Sequence, residues 1–218
     1  MRRVGKLLVA AFILTLGVAI AIGAVGFFNA RADADALIAR ADALIAQGRD
    51  GEALGATRLA MLIRVQDPGF ADHNGLDLWT PGAGITTITQ SLAKRVAFDD
   101  FQPGIAKLRQ TTYAMGLETR LSKTQILALW LDTVEMGRGP DGWITGFFAA
   151  SEAIFGAPPD QISEAEFLHL IAVLIAPGRY DLMGEDPALD ARVARIERLI
   201  AGTCTPQGNG DVRLDGCA

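Results

Sequence analysis

The chain reads as a mainly α protein with one membrane-crossing helix at its N-terminus, and three observations carry that reading. From Leu7 to Phe28 no residue is charged and Thr15 is the one polar side chain, a run of roughly 22 residues that is long enough to cross a hydrocarbon core of about 30 Å. Farther on, Ser122 with Gln125 and Ser163 with Glu166 each carry the capping-box spacing that opens a helix, and apolar residues follow both at helical period. No stretch alternates apolar and polar residues long enough to build a sheet.

Taken in order, Arg2, Arg3 and Lys6 precede the apolar run and place that end in the cytoplasm and the rest outside. Ala30-Arg31-Ala32 keeps a cleaved signal peptide open as the competing reading, although the apolar core is longer than such peptides use. Next, Ala34-Asp35-Ala36-Leu37-Ile38-Ala39-Arg40 recurs as Ala41-Asp42-Ala43-Leu44-Ile45-Ala46-Gln47. Two heptads predict an amphipathic stalk helix lying on the domain or the membrane and are too few for a coiled coil. Gln47-Gly48-Arg49-Asp50-Gly51 breaks it, and Ala53 to Val65 reads as a second apolar helix.

Helices are then expected over Gly104 to Leu121, from Ser122 through Val134, and over Phe167 to Ile175, stopped by Ala176-Pro177-Gly178. Asp186-Pro187 opens a last one striped by Leu189, Val193, Ile196 and Ile200 and ended by Gly202. The organisation predicted is an anchor over 1–29, a stalk over 30–52, a domain over 53–202 and a tail over 203–218. In that tail Cys204 and Cys217 suit an oxidising compartment and are expected to pair; their spacing, with no nearby His, is not a zinc pattern.

Half of the 218 residues are apolar, enough for one packed domain plus an anchor, and no second catalytic module is expected. A net charge of −5 argues against a nucleic-acid partner, which needs a basic surface. Residues 94 to 123 nevertheless hold Lys94, Arg95, Lys107, Arg109, Arg120 and Lys123 against Asp99, Asp100 and Glu118, a local surplus that suits a phosphate-bearing ligand.

Between these elements lies the densest motif, QDPGFADHNGLDLWTPGAGITTITQSLAKR over residues 66 to 95. It presents Gln66, Asp67, Phe70, His73 and Gly75, then Gly84, Thr86, Thr87, Ile88, Thr89, Gln90, Leu92 and Lys94. Later come Lys107 and Gln110, Leu117-Glu118, Ser122-Lys123, Ile126-Leu127, Gly146, Ala149-Ala150, Phe155-Gly156 and Ala176-Pro177-Gly178-Arg179-Tyr180. This series resembles the peptidoglycan glycosyltransferases (glycosyltransferase family 51) over about residues 60 to 181, whose first motifs run E-D-x-x-F-x-x-H-x-G and G-x-S-T-I-T-Q-Q-L-x-K-N. The resemblance implies a lysozyme-like fold. It implies a lipid-linked disaccharide substrate whose 4-hydroxyl attacks a second anomeric carbon as an undecaprenyl pyrophosphate leaves.

The chain departs from the family where the chemistry sits. The resemblance places the family's general base at Gln66 and its second glutamate at Gln110, and Ala106 stands where the family has an arginine. An amide carries no lone pair basic enough to take a proton at neutral pH, and losing a positioned base typically costs about 10² to 10⁴ in rate. Gln66 and Gln110 are therefore expected to hold the shape of the site, with Asp67 or another acid as the substitute base. Lys94, Lys107, Lys123, Thr86, Thr87, Thr89 and Gln90 are expected at the ligand; Phe70, His73 and Gly75 are expected to support the motif. No residue set suggests a protein-held metal, though a divalent Mg or Mn could accompany a pyrophosphate.

Two functions follow. One is a membrane-anchored domain that binds lipid-linked precursor or nascent glycan without polymerising it, beside an active cell-wall synthase as regulator or scaffold. The other is an active monofunctional glycosyltransferase with a relocated base.

Overall fold

The structure, a computed structural model, describes residues 2–102 and 104–218. The side chains of Arg2 and Arg3, on which the predicted orientation of the anchor rests, lie outside the described set. Helix α1 (Arg2–Ala46) runs unbroken through the anchor and the heptad repeat, so no joint separates them. No proline interrupts it, and its glycines at 5, 17, 23 and 26 are tolerated inside a helix. Its most apolar 18-residue window has a mean hydropathy of 2.7 and is 6% buried, which fits a single-pass membrane anchor.

The C-terminal half of α1 lies on the domain. Ala30, Ala34, Ala41 and Leu44 are buried, and polar residues beside them bond outward to α4 (Ile105–Glu118), α5 (Lys123–Thr133) and the turn between them. Tyr113 donates to Asp33 at 2.7 Å, Arg120 pairs with Asp35 at 2.7 Å, and Arg40 pairs with Asp132 at 2.7 Å. Small residues set the approach: a Cβ on Gly116 would stand 2.6 Å from the Phe27 carbonyl oxygen, closer than real contacts allow. Burial and the Asp33 hydrogen bond both push the Tyr113 hydroxyl upward from its ordinary pKa.

The domain core is built around α5, where Ile126 to Leu131 are all buried. Packed near it are α6 (Phe147–Phe155), α7 (Glu164–Val173) and α8 (Pro187–Ile200), with Phe147 and Phe167 meeting edge to face at 5.7 Å between centroids. Each large side chain buried here contributes roughly 1.5–3 kcal/mol. Both capping boxes form, at Ser122 with Gln125 and at Ser163 with Glu166, and Asp186 caps α8 ahead of Pro187.

Three local expectations are corrected. The helix read over Ala53 to Val65 is a 3₁₀ turn (Glu52–Leu54) followed by α2 (Ala56–Gln66), because Gly55 between them takes φ +79°. A two-stranded antiparallel hairpin exists after all: β1 (Glu135–Gly139) pairs with β2 (Gly142–Thr145) across Pro140-Asp141. It is too short to alternate legibly, and the turn residues were its signal. Helix α3 (Ile88–Ala97) was not expected. Its start was legible, since Thr87 and Gln90 have the N-cap and third-position spacing, and Thr87 does accept from the Gln90 amide.

Beyond α8 the tail folds back, closed by a Cys204–Cys217 disulfide with the Cα atoms 5.3 Å apart. Its backbone straps the loop before α3, where Gly82 and Gly84 donate to the carbonyls of Gly208 and Asn209 at 2.9 and 2.8 Å.

Candidate active site

The motif over residues 66 to 90 leaves α2, loops across the domain and enters α3, and its polar residues divide into a sealed set and an open set. Asp67 belongs to the sealed set, with 0% exposure. One of its oxygens accepts the Ile88 backbone N–H at 2.8 Å, capping α3, and both lie 3.0 Å from His73 Nε2. His73 Nδ1 accepts from the Gly75 N–H at 3.0 Å, which fixes the proton on Nε2 and directs it to Asp67. Phe70 meets His73 edge to face. Asp67, expected as a substitute base, is thus fully buried in this arrangement, with its oxygens engaged by His73 and the Ile88 N–H.

Thr87, Thr89 and Gln90, expected at the ligand, are buried and internally bonded, and Lys123, expected there too, is half-buried and internally bonded. Thr87 donates to the Gly75 carbonyl at 3.1 Å while capping α3, and Gln90 Nε2 donates to that same carbonyl at 3.1 Å. Thr89 donates to Glu118 at 2.5 Å. Lys123 donates to Glu118 at 2.8 Å and to the His73 carbonyl at 2.7 Å, and its ammonium sits over the Phe70 ring. These groups hold loop, α3 and α5 in one arrangement because each buried polar atom needs a partner.

The two glutamines are used as amides. Gln110, 1% exposed, donates from Nε2 to the Gln90 backbone carbonyl at 2.7 Å, and its Oε1 is buried without a partner among the described residues. Gln66, half-buried, donates to the Ile171 carbonyl at 3.1 Å. A carboxylate at either place would turn a second lone pair toward a carbonyl oxygen.

The open set lines a cavity of about 450 Å³, walled by Gln66, Thr86, Ser91, Trp130, Arg192 and Val212 among others. Thr86 is exposed, and Lys107 reaches it with a hydrogen bond of 3.1 Å while donating to Gln90 Oε1 at 2.8 Å. Burial first, and then the neighbouring Lys94 charge, lowers the pKa of Lys107 below the ordinary lysine value. Lys94 itself is exposed on α3, over the Phe101 ring at 5.3 Å. The Lys107 ammonium and the Thr86 hydroxyl thus stand together just before α3, with the Lys94 charge farther along that helix, an arrangement able to hold a phosphate group.

Among the described residues, no group of three His, Cys, Asp or Glu side chains converges to hold a metal. Asp67 in the motif and Glu118 on α4 are internally bonded.

Sequence reasoning missed two contributors to this cavity. Arg192 is buried on α8 at 5% exposure, in register with Leu189 and Ile196 on the helix face that also carries Leu199. A charge inside an apolar stripe was the signal. The tail wall, including Gly210 and Val212, had none.

Comparison with known proteins now has a site to refer to. The chain is 29% identical over 159 residues to the biosynthetic peptidoglycan transglycosylase of Azoarcus sp. (strain BH72), covering 66% of each chain. It is 30% identical over 148 residues to the protein of the same description from Nitrosomonas eutropha, covering 62% of this chain and 59% of that one. The chain thus spans about three-fifths to two-thirds of these relatives' length. Penicillin-binding protein 1B of Escherichia coli (strain K12) shares 29% identity over 115 residues, which is 14% of its own length. Residues 55–200 match the family described as Transglycosylase, a stretch running from the start of α2 to the end of α8, and the chain belongs to that family.

Proposed function

We propose that this protein is a membrane-anchored cell-wall glycosyltransferase-type domain that binds lipid-linked peptidoglycan precursor or nascent glycan without polymerising it. It acts as a regulator or scaffold beside an active synthase. The observation that carries this reading is that both glutamines at the family's glutamate positions act as hydrogen-bond donors to main-chain carbonyls, Gln66 to Ile171 and Gln110 to Gln90. A group already donating, and lacking a basic lone pair, does not take the acceptor's proton. Asp67, the alternative base, is sealed.

Retention of binding is supported by Thr86 at the cavity edge, by Lys107 bonded to it and by the nearby Lys94 charge, a cationic surface matched to the pyrophosphate of such a precursor. A membrane-borne substrate also suits a domain seated on the continuation of its own apolar helix. We place the domain on the outer face of the cytoplasmic membrane, where the precursor is presented, in accord with the basic residues that precede the apolar run.

Purified full-length protein in detergent, given lipid-linked precursor and divalent metal, is expected to form no glycan polymer. It is expected to bind the precursor in a salt-sensitive manner, since charge contacts weaken as ionic strength rises. Polymerisation by the unmodified chain would overturn the degenerate reading in favour of an active glycosyltransferase. Protease added outside spheroplasts tests the topology, and full protection of the domain would reverse it.

A further inference from the structure

We infer that the disulfide-closed tail and helix α8 build a second oxyanion site, centred on Arg192 and distinct from the Lys107 edge. Arg192 is 5% exposed, and its Nε and Nη1 atoms are buried without a hydrogen-bond partner among the described residues. An unpaired buried guanidinium is costly, so such a group is retained where something outside the chain completes it. It lines a cavity of about 320 Å³ formed with Arg179, Tyr180, Arg195, Arg213 and Asp215, and it also lines the Gln66 cavity.

Nearby acids do not satisfy it. Asp215 pairs with Arg195 at 2.8 Å, and Asp211 accepts the backbone N–H groups of Gln207, Asp215 and Gly216. Asp186 lies within reach of the Arg179 charge, so four arginines against Asp186, Asp211 and Asp215 leave a surplus of one positive charge. Burial lowers Arg192 to about 10, so it is still a cation at neutral pH. Its Nε–H and Nη1–H point to opposite edges of the planar guanidinium and both are unused, so each offers a separate charged donor to an oxyanion of two negative charges, the chemistry of a phosphate monoester or a diphosphate. The tail supplies Arg213 and Asp215, and both lie beyond the stretch that matches the family.

Full-length protein in detergent micelles is titrated with inorganic pyrophosphate, and binding heat and thermal midpoint are read. Saturable binding that raises the midpoint is expected. Arg192→Gln should weaken it by tenfold or more, and the exposed Arg213→Gln, which leaves the core untouched, by several-fold. Lys107→Ala should leave the Arg192-dependent component of that binding within about twofold and remove only a component held at the Lys107 edge. Micelles doped with phosphatidic acid form the second arm: competition with pyrophosphate that Arg192→Gln abolishes would support the site and assign its source to a lipid headgroup. Pyrophosphate binding without that competition would support it with a soluble source. Unaltered binding in both arginine variants, loss of binding in Lys107→Ala alone, or no saturable binding at all would each overturn the inference. Loss of precursor binding in Lys107→Ala with pyrophosphate binding intact separates this site from the proposed precursor surface.

Discussion

The same 25-residue motif, from Gln66 to Gln90, builds two regions with opposite physical character. In the sealed region Asp67, His73, Thr87, Gln90 and Gln110 bond to one another or to the main chain, with hardly any exposure at Asp67, Gln90 and Gln110. In the open region Gln66, Thr86 and Lys107 edge a cavity and keep part of their hydrogen-bonding capacity for a ligand. Residues a few positions apart therefore do unlike work. A match to a family motif says which residues belong together, and burial says which of them a substrate can meet.

Substitutions can break or sharpen this contrast. The largest effect is expected for Asp67→Ala, which leaves the His73 Nε2–H and the Ile88 N–H buried without their acceptor. Two such losses cost about 3 kcal/mol or more, a fall of about 6–12 °C in melting midpoint for a chain of this size. A midpoint within 2 °C or so of the unmodified protein would mean the motif is not a structural unit.

Next comes Gln110→Glu. The new carboxylate would be buried and turned toward the Gln90 carbonyl, so a loss of about 1–3 kcal/mol is expected. The sign of its pH dependence is fixed: burial raises the folded-state pKa of a carboxyl above its unfolded value. The penalty is therefore smallest at acid pH and grows as pH rises from that unfolded value through the folded one. Denaturant titrations at pH 5 and pH 8 read this directly. Gln66→Glu, at the cavity edge, should cost less than half as much. The double variant is expected to show little polymerisation, since Ala106 still lacks a cation.

Lys107→Ala moves the other side of the comparison. Stability should fall by about 1 kcal/mol, because the buried Gln90 Oε1 loses its donor, while precursor affinity falls about tenfold, or about 1.4 kcal/mol. Because the ammonium pKa is lowered by burial and by Lys94, its charge is lost at a lower pH than that of an ordinary lysine. Affinity of the unmodified chain should accordingly decline as pH rises above neutral, before the usual lysine range near about 10.4. A flat affinity profile up to that range would remove Lys107 from the ligand. The smallest change is expected for Thr86→Val, about a twofold loss of affinity without a stability change, measured in the same titration.

Much of the fold was legible along the chain because its signals are local. The charge-free run, the two capping boxes and the Asp186-Pro187 start each depend on residues within one or two helical turns, and all appear in the structure. The hairpin and α3 were missed although the Pro140-Asp141 turn and the Thr87–Gln90 spacing were there, since short elements carry too few residues for a period to stand out. The motif itself was legible by its order of residue types, and so was the amide chemistry at residues 66 and 110.

What the sequence by itself determined is therefore the helical class, the apolar N-terminal run and the amides at residues 66 and 110. Tertiary structure alone decided that Asp67 is sealed against His73, that Lys107 reaches Thr86 across 21 positions, and that Arg192 meets Arg213 at a cavity closed by the tail. Burial and partner choice at those places are set by segments far apart in the chain, and no local period records which segment will cover a given side chain.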